Sequence, residues 1–203
     1  RMGYAARFET IDWEQKTDLV ESGTIDCIWG SFSMDGREEE YQWAGPYLHS
    51  RQVVAVRSDS DIRTLQDLAD KVVAVQSTTK PEELFLNAEQ NGLPRLRRLY
   101  SLQNRDLLYT TLLKGYADAL AAHESAIRQF MKDYSVEYRI LDEPLMTARL
   151  GVAFAKERGD DLPQQLTEVF QEMLADGTVR QIVSRYLDDP EHYLDGLEDS
   201  THA

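Results

Sequence analysis

The sequence predicts an α/β fold with mainly parallel sheets, built as two similarly organised halves. Short apolar runs rich in Val, Ile, Leu and Ala alternate with segments of helical periodicity, the pattern of strands connected through helices. One ten-residue arrangement occurs twice, 92 residues apart. Leu19-Val20-Glu21-Ser22-Gly23-Thr24-Ile25-Asp26-Cys27-Ile28 resembles Thr111-Leu112-Leu113-Lys114-Gly115-Tyr116-Ala117-Asp118-Ala119-Leu120. Each copy has an amphipathic helix end, a glycine stop, two spacers, an aspartate and a buried strand. Glycine supplies the left-handed turn, and the aspartate can hydrogen-bond local backbone before the strand begins.

The elements follow in order. Residues 5–10 read as a strand. Glu14 to Ser22 reads as a helix stopped by Gly23. Asp26 to Trp29 is a short buried strand, and Val53 to Val56 a β-branched one that ends in the polar turn Arg57-Ser58-Asp59-Ser60. Thr64 to Ala69 is a short helix and Val72 to Val75 a buried strand. Pro81 opens a helix through Ala88, at a position where its missing N–H costs nothing. Leu96 to Tyr100, Ala119 to Ala121, Val136 to Leu141 and Leu150 to Ala155 read as strands. Asp106 to Leu113 and Ser125 to Met131 read as helices. The last third is helical, Leu162 to Ala175 and Thr178 to Leu187, broken at Gly177.

Composition excludes several classes. Of 203 residues 42% are hydrophobic, enough for a packed core. No apolar run approaches the roughly 18 residues of a membrane span. A net charge of −14, from 36 acidic and 22 basic residues, repels phosphate backbones, so nucleic acid is a poor partner. A single cysteine, Cys27, forms no intrachain disulfide and no cysteine-rich zinc site. Its neighbours make it a small buried hydrophobe rather than a nucleophile. Metal-ligand spacings, a nucleophile elbow and a phosphate-binding glycine loop are absent from the sequence, so no metal or cofactor is expected. Arg1-Met2-Gly3-Tyr4 reads as a helix end and turn, and a preceding segment is expected.

Four stretches together resemble a known family. They are Ser22-Gly23-Thr24-Ile25-Asp26-Cys27-Ile28; Gly45-Pro46-Tyr47 through Gln52-Val53-Val54-Ala55-Val56; Leu65-Gln66-Asp67-Leu68-Ala69-Asp70-Lys71-Val72-Val73-Ala74-Val75-Gln76; and Leu174-Ala175-Asp176-Gly177-Thr178. Their order and spacing resemble the extracellular solute-binding proteins of family 3, the polar amino-acid receptors of ATP-driven (ABC) importers. The resemblance implies a periplasmic-binding-protein-like fold of type II, with a ligand cleft between two lobes. Residues 1–55 and 150–203 would form lobe one, and 56–149 lobe two. It further implies an extracytoplasmic location, periplasmic or lipid-anchored at the cell surface. The partners would be a small amino-acid-like ligand and a transporter permease, with membrane contact only through that permease or a missing N-terminal anchor. Against the family pattern, the first strand and most of the first helix are missing.

The demands of such a ligand select candidates. A carboxylate needs several donors once removed from water, and arginine's planar fork suits it. Arg37 matches the family's arginine, one residue closer to the preceding strand; the alternative is a surface arginine pairing with Glu38–Glu40. Ser31 and Ser33 match polar positions on the loop after that strand, where ordinary turn chemistry is the alternative. Trp13 matches an aromatic that packs on the ligand, or else is a core residue. Trp29, Trp43 and Tyr47 read as core or lobe-edge aromatics, and Lys80 as a solvated lysine. Ser77, Thr78 and Thr79 precede a proline-opened helix and suit a carboxylate cradle, an N-cap, or both.

His123 stands where the family usually has an aspartate for the α-ammonium. Three readings stay open: Glu124 replaces the aspartate, the ligand lacks a normal α-ammonium, or His123 only begins a helix. The function implied is a receptor that feeds an importer, without catalysis. Two alternatives are a dehydratase-type enzyme on the same scaffold, using His123 and Glu124 as acid–base groups, and the sensing domain of a signalling receptor.

Overall fold

A computed structural model of the chain describes residues 1–197; the expected extent of lobe one to residue 203 reaches beyond them. The helices are α1 (Lys16–Glu21), α2 (Lys80–Leu86), α3 (Arg105–Leu113), α4 (Glu124–Tyr134), α5 (Leu162–Ala175), α6 (Thr178–Val183) and α7 (Glu191–Leu194). The strands are β1 (Ile28–Ser33), β2 (Gln42–Arg57), β3 (Val72–Gln76), β4 (Arg98–Leu102), β5 (Ala119–His123), β6 (Tyr138–Ile140) and β7 (Met146–Phe154). Single 3-10 turns form at Trp13–Gln15 and Leu65–Leu68. The chain divides into two compact units: Arg1–Ser50 with the chain from Ala148 onward, and Arg51–Thr147. The strands β2 and β7 contribute residues to each.

In the second unit the strands lie in the order β6-β2-β5-β3-β4. Their apolar residues sort onto two faces by alternation. Val53, Ala55, Val72, Ala74 and Leu120 pack against Leu108, Tyr109 and Leu112 of α3 and Ile127 of α4. Val54, Val56, Val73, Val75, Ala119 and Ala121 pack against Leu65 and Leu68 of the 3-10 turn and Phe85 of α2. Cover on each face explains why these strands are continuous apolar runs rather than alternating ones.

The first unit repeats the scheme with β1, β7 and the first part of β2, with β7 between the other two. Val20 of α1 covers one face with Ile28, Phe32, Tyr41 and Ala153. Phe170 of α5 covers the other with Ala44, Val152 and Phe154. Cys27 lies partly buried at the edge of this second cluster, where burial pushes its thiol pKa up.

The repeated sequence pattern is a repeated backbone. Gly23 and Gly115 have φ of 71° and 74°. Their N–H groups donate to Val20 O at 3.1 Å and Leu112 O at 3.0 Å, and the next N–H groups to Leu19 O and Thr111 O at 2.9 Å each. This left-handed helix stop satisfies carbonyls that would otherwise lack partners. The second aspartate then pins a neighbouring strand: Asp118 Oδ2 accepts from Val72 N–H at 2.8 Å, and its own N–H donates to Val72 O at 2.8 Å.

The structure corrects several expectations. The sheets are not mainly parallel. Only β3 pairs in parallel, with β4 and β5; β2 runs antiparallel to β5 and β6, and β1 antiparallel to β7. Helical crossovers dictate parallel strands, but β2 and β7 connect through other routes and enter their sheets the opposite way. The strand at Val53–Val56 begins at Gln42, because polar His49, Ser50, Arg51 and Gln52 hide its extent. Residues 5–10 form no strand: they have no ladder partner, and Phe8 is 89% exposed. The helix from Thr178 ends at Val183, where the Ser184 hydroxyl donates to Arg180 O at 2.7 Å.

One ion cluster fixes the corner at which β5 passes into α4. Glu124, 1% exposed, accepts from Arg51 Nε at 2.7 Å on one oxygen. Its other oxygen accepts from Arg128 Nε and Nη2 at 2.8 and 2.6 Å. Burial pushes this carboxyl pKa up, but the hydrogen bonds and charges of the two guanidiniums outweigh it and hold the pKa below its usual value. The cluster therefore stabilises the fold above the unfolded carboxyl pKa, and this contribution disappears as pH falls through the lower folded value. Glu124→Gln should cost about 2 kcal/mol at pH 7, the scale of hydrogen bonds to charged groups. Thermal unfolding of variant and parent should converge below about pH 4, near the ordinary glutamate pKa. In the first unit, a Cβ on Gly151 would lie 2.8 Å from Met34 Cγ and Sδ and from Trp43 Cε3. Gly151→Ala should lower stability by about 2 kcal/mol, as overpacking does, measured by denaturant unfolding.

Candidate functional site

The candidate residues of the first unit gather around a bulge. The β1–β7 register shifts between Ile28 and Phe32, and Ser31 takes φ of 56° there. Bulges re-aim side chains and often sit beside functional sites. The backbone at Ser31 hydrogen-bonds Tyr47, whose hydroxyl pKa burial pushes up to about 12 against that hydrogen bond; the phenol stays neutral.

Past the bulge, Ser33 is buried and its carbonyl accepts from Arg37 Nη1 at 3.3 Å. The Arg37 guanidinium lies 5.1 Å from the Phe32 ring centroid. Its loop is held by Arg37 N–H on Met34 O at 2.9 Å and by Trp43 Nε1 on Arg37 O at 3.1 Å. The neighbouring acids are engaged elsewhere. Asp35 accepts from Arg149 N–H at 2.7 Å and Nε at 2.9 Å, and Glu38 from Arg149 Nη2 at 2.8 Å. Among the described residues Arg37 forms no ion pair, and the expected alternative of pairing with Glu38–Glu40 is not realised. Nothing in sequence signals Arg149, which meets these acids across more than a hundred residues.

Trp13 begins the first 3-10 turn, capped by Asp12 accepting from Glu14 N–H at 3.1 Å. Its ring meets Phe32 edge-on, centroids 5.6 Å apart, in a cluster completed by Tyr41 and Trp43. Its buried indole Nε1 has no hydrogen-bond partner in the protein.

The second unit holds the remaining candidates. Ser77 follows β3, 7% exposed, and its hydroxyl has no partner in the protein. Thr78 has φ of 57°. Its N–H donates to Glu82 Oε2 at 2.6 Å, so this backbone group already serves a carboxylate of the chain, which also accepts from the Ser101 hydroxyl. Thr79 takes the N-cap backbone geometry of α2, yet its hydroxyl turns back to Gln76 O at 2.6 Å. Lys80 pairs with Glu83 at 2.8 Å.

His123 ends β5 and occupies the N-cap position of α4 without a side-chain capping bond. Its Nε2 is 2.8 Å from Gln52 Nε2, the two residues being directly paired across β2 and β5. Glu124 is committed to Arg51 and Arg128. Sequence reasoning did not single out Gln52 or Arg51. The available signal was two polar residues opening the run Val53-Val54-Ala55-Val56. Among the described residues no group of three or more His, Cys, Asp and Glu is placed to hold a metal, and no helix is long and apolar enough to cross a membrane.

Comparison with known proteins places this geometry. A putative amino-acid ABC transporter-binding protein of Vibrio harveyi is 28% identical over 185 residues, 90% of this chain and 73% of that protein. The histidine-binding periplasmic protein of Escherichia coli is 32% identical over 179 residues, 83% of this chain and 67% of that one. Another curated relative is matched over only 63% of its length. The fold is that of an ABC uptake transporter substrate-binding protein from Streptococcus pneumoniae crystallised with histidine: TM-score 0.83 and 22% identity, over 93% of this chain and 78% of that one. Residues 1–189 match the model of the bacterial extracellular solute-binding proteins, family 3, and the chain belongs to that family.

Proposed function

We propose that the protein captures a small amino-acid-like carboxylate for uptake by an ABC transporter. As a member of an extracellular solute-binding family it acts by binding, not by turnover. The carrying observation is the state of Arg37. Its guanidinium is half-buried over Phe32, with one long hydrogen bond to a backbone carbonyl. Arg149 neutralises the acids beside it. A fork of donors held in place without a counter-ion suits a carboxylate. Ser31 and Ser33 at the bulge add polar groups, and the Trp13 cluster supplies an apolar wall. In the second unit Ser77, Thr78, Thr79 and His123 are the proposed ligand groups, with Glu124 holding their frame through its arginines.

The dehydratase alternative loses support at Glu124. A carboxylate saturated by two guanidiniums, with its pKa held down, is a weak general base.

Isothermal titration calorimetry against small carboxylates, including the amino acids, should find a binder. Arg37→Ala should weaken it about 100-fold, the scale of a lost charge-assisted pair at about 3 kcal/mol. Unaltered affinity in that variant rules out Arg37 as the clamp.

A further inference from the structure

Three side chains of the second unit form a polar row at one end of its sheet. Gln52 and His123 are paired across β2 and β5. On the other side of β5, Ala74 of β3 is level with Leu120; carrying that parallel register forward sets Ser77 level with His123. Alternation puts all three on the face that carries Val54, Val75 and Ala121. The row thus continues an apolar face with hydrogen-bonding groups.

Two of its polar atoms are buried without a partner in the protein, Gln52 Oε1 and Ser77 Oγ, in residues 2% and 7% exposed. Leaving such atoms unpaired is costly, and a native structure that does so usually reserves them for something else. The row contains no carboxylate. Glu124, beside it, is held on both oxygens by guanidiniums. Arg51, Arg128 and Glu124 together carry a net charge of +1 from two cations and one anion. The start of α4 adds the positive end of an 11-residue helix.

We infer that Gln52, His123 and Ser77 form a ligand subsite that takes an uncharged hydrogen-bonding group and rejects a cationic amine. This rests on the receptor reading above and narrows it: the ligand is a small carboxylic acid bearing a hydroxyl, oxo or amide group where an amino acid bears its ammonium. The physical reason is the local charge. An ammonium here would meet a net positive corner and no uncommitted anion, and would lose its hydration without repayment. A hydroxyl or oxo group asks only for hydrogen bonds. The Gln52 amide serves either kind, because its two orientations have the same shape. With Nε2 toward His123, Oε1 accepts from a ligand donor; turned over, Oε1 accepts from His123 Nε2–H and the amide NH2 donates to a ligand acceptor.

The experiment is calorimetry on the full chain with matched sets: glutamate, 2-hydroxyglutarate and 2-oxoglutarate; leucine, 2-hydroxy-4-methylpentanoate and 4-methyl-2-oxopentanoate; histidine and its 2-hydroxy acid. In any set that binds, the hydroxy or oxo acid should bind at least about 10-fold tighter than the amine, the effect of one unpaired buried charge or more. His123→Asp and Gln52→Glu each place a carboxylate in the row and should reverse that order. Gln52→Leu should weaken the hydroxy acid about 10-fold, and circular dichroism of each variant reports folding. Preference for the amine by the parent protein, or an order unmoved by both acidic variants, overturns the subsite and leaves the receptor reading standing. Absence of binding in every set, by the parent and both acidic variants, overturns the receptor reading and the subsite with it.

Discussion

Burial of the second unit's strands on each face governs where its chemistry can lie. A strand covered by helices above and below has no room for polar side chains along its length. Polar groups are expelled to the strand ends, where helix starts and turns supply partners. Ser77 after β3, His123 at the end of β5 and Gln52 beside it in β2 sit where the apolar runs stop. Open α/β sheets place ligands outside the carboxyl ends of their parallel strands for the same reason.

The second constraint is charge. An acidic chain must keep its few arginines effective while surrounded by carboxylates. Arg149 occupies Asp35 and Glu38, which lie on either side of Arg37 in sequence, and so leaves Arg37 without an ion partner among the described residues. At the start of α4 the logic is inverted: two arginines consume Glu124, and the corner keeps a positive balance. In each unit the pairs around a candidate residue set its electrostatics more than the residue's own identity does.

The repeated glycine stop shows how much of the fold was legible. Gly23 and Gly115 announce left-handed helix ends, and their backbones agree hydrogen bond by hydrogen bond. The apolar runs at Val72–Val75 and Ala119–Ala121 announce strands, and Leu162–Ala175 announces its helix in full. Less legible was strand direction, since an apolar run has the same composition whichever way it enters a sheet. The length of β2 was hidden because its polar half does not alternate. Of the candidate site, the residue types and segments were readable, as were the hydroxyls and the histidine. Their engagement was not: Thr78 N–H serves Glu82, the Thr79 hydroxyl serves Gln76, and His123 meets Gln52.

The sequence by itself determined the α/β class, the family and the turns, because these depend on local backbone preference and on the order of short segments. Tertiary structure alone decided which charges are spent and which remain. The pairs Arg149 with Asp35, Arg51 with Glu124 and Gln52 with His123 join residues 114, 73 and 71 positions apart. Contacts of that kind follow from strand register and side-chain packing, which no local pattern encodes.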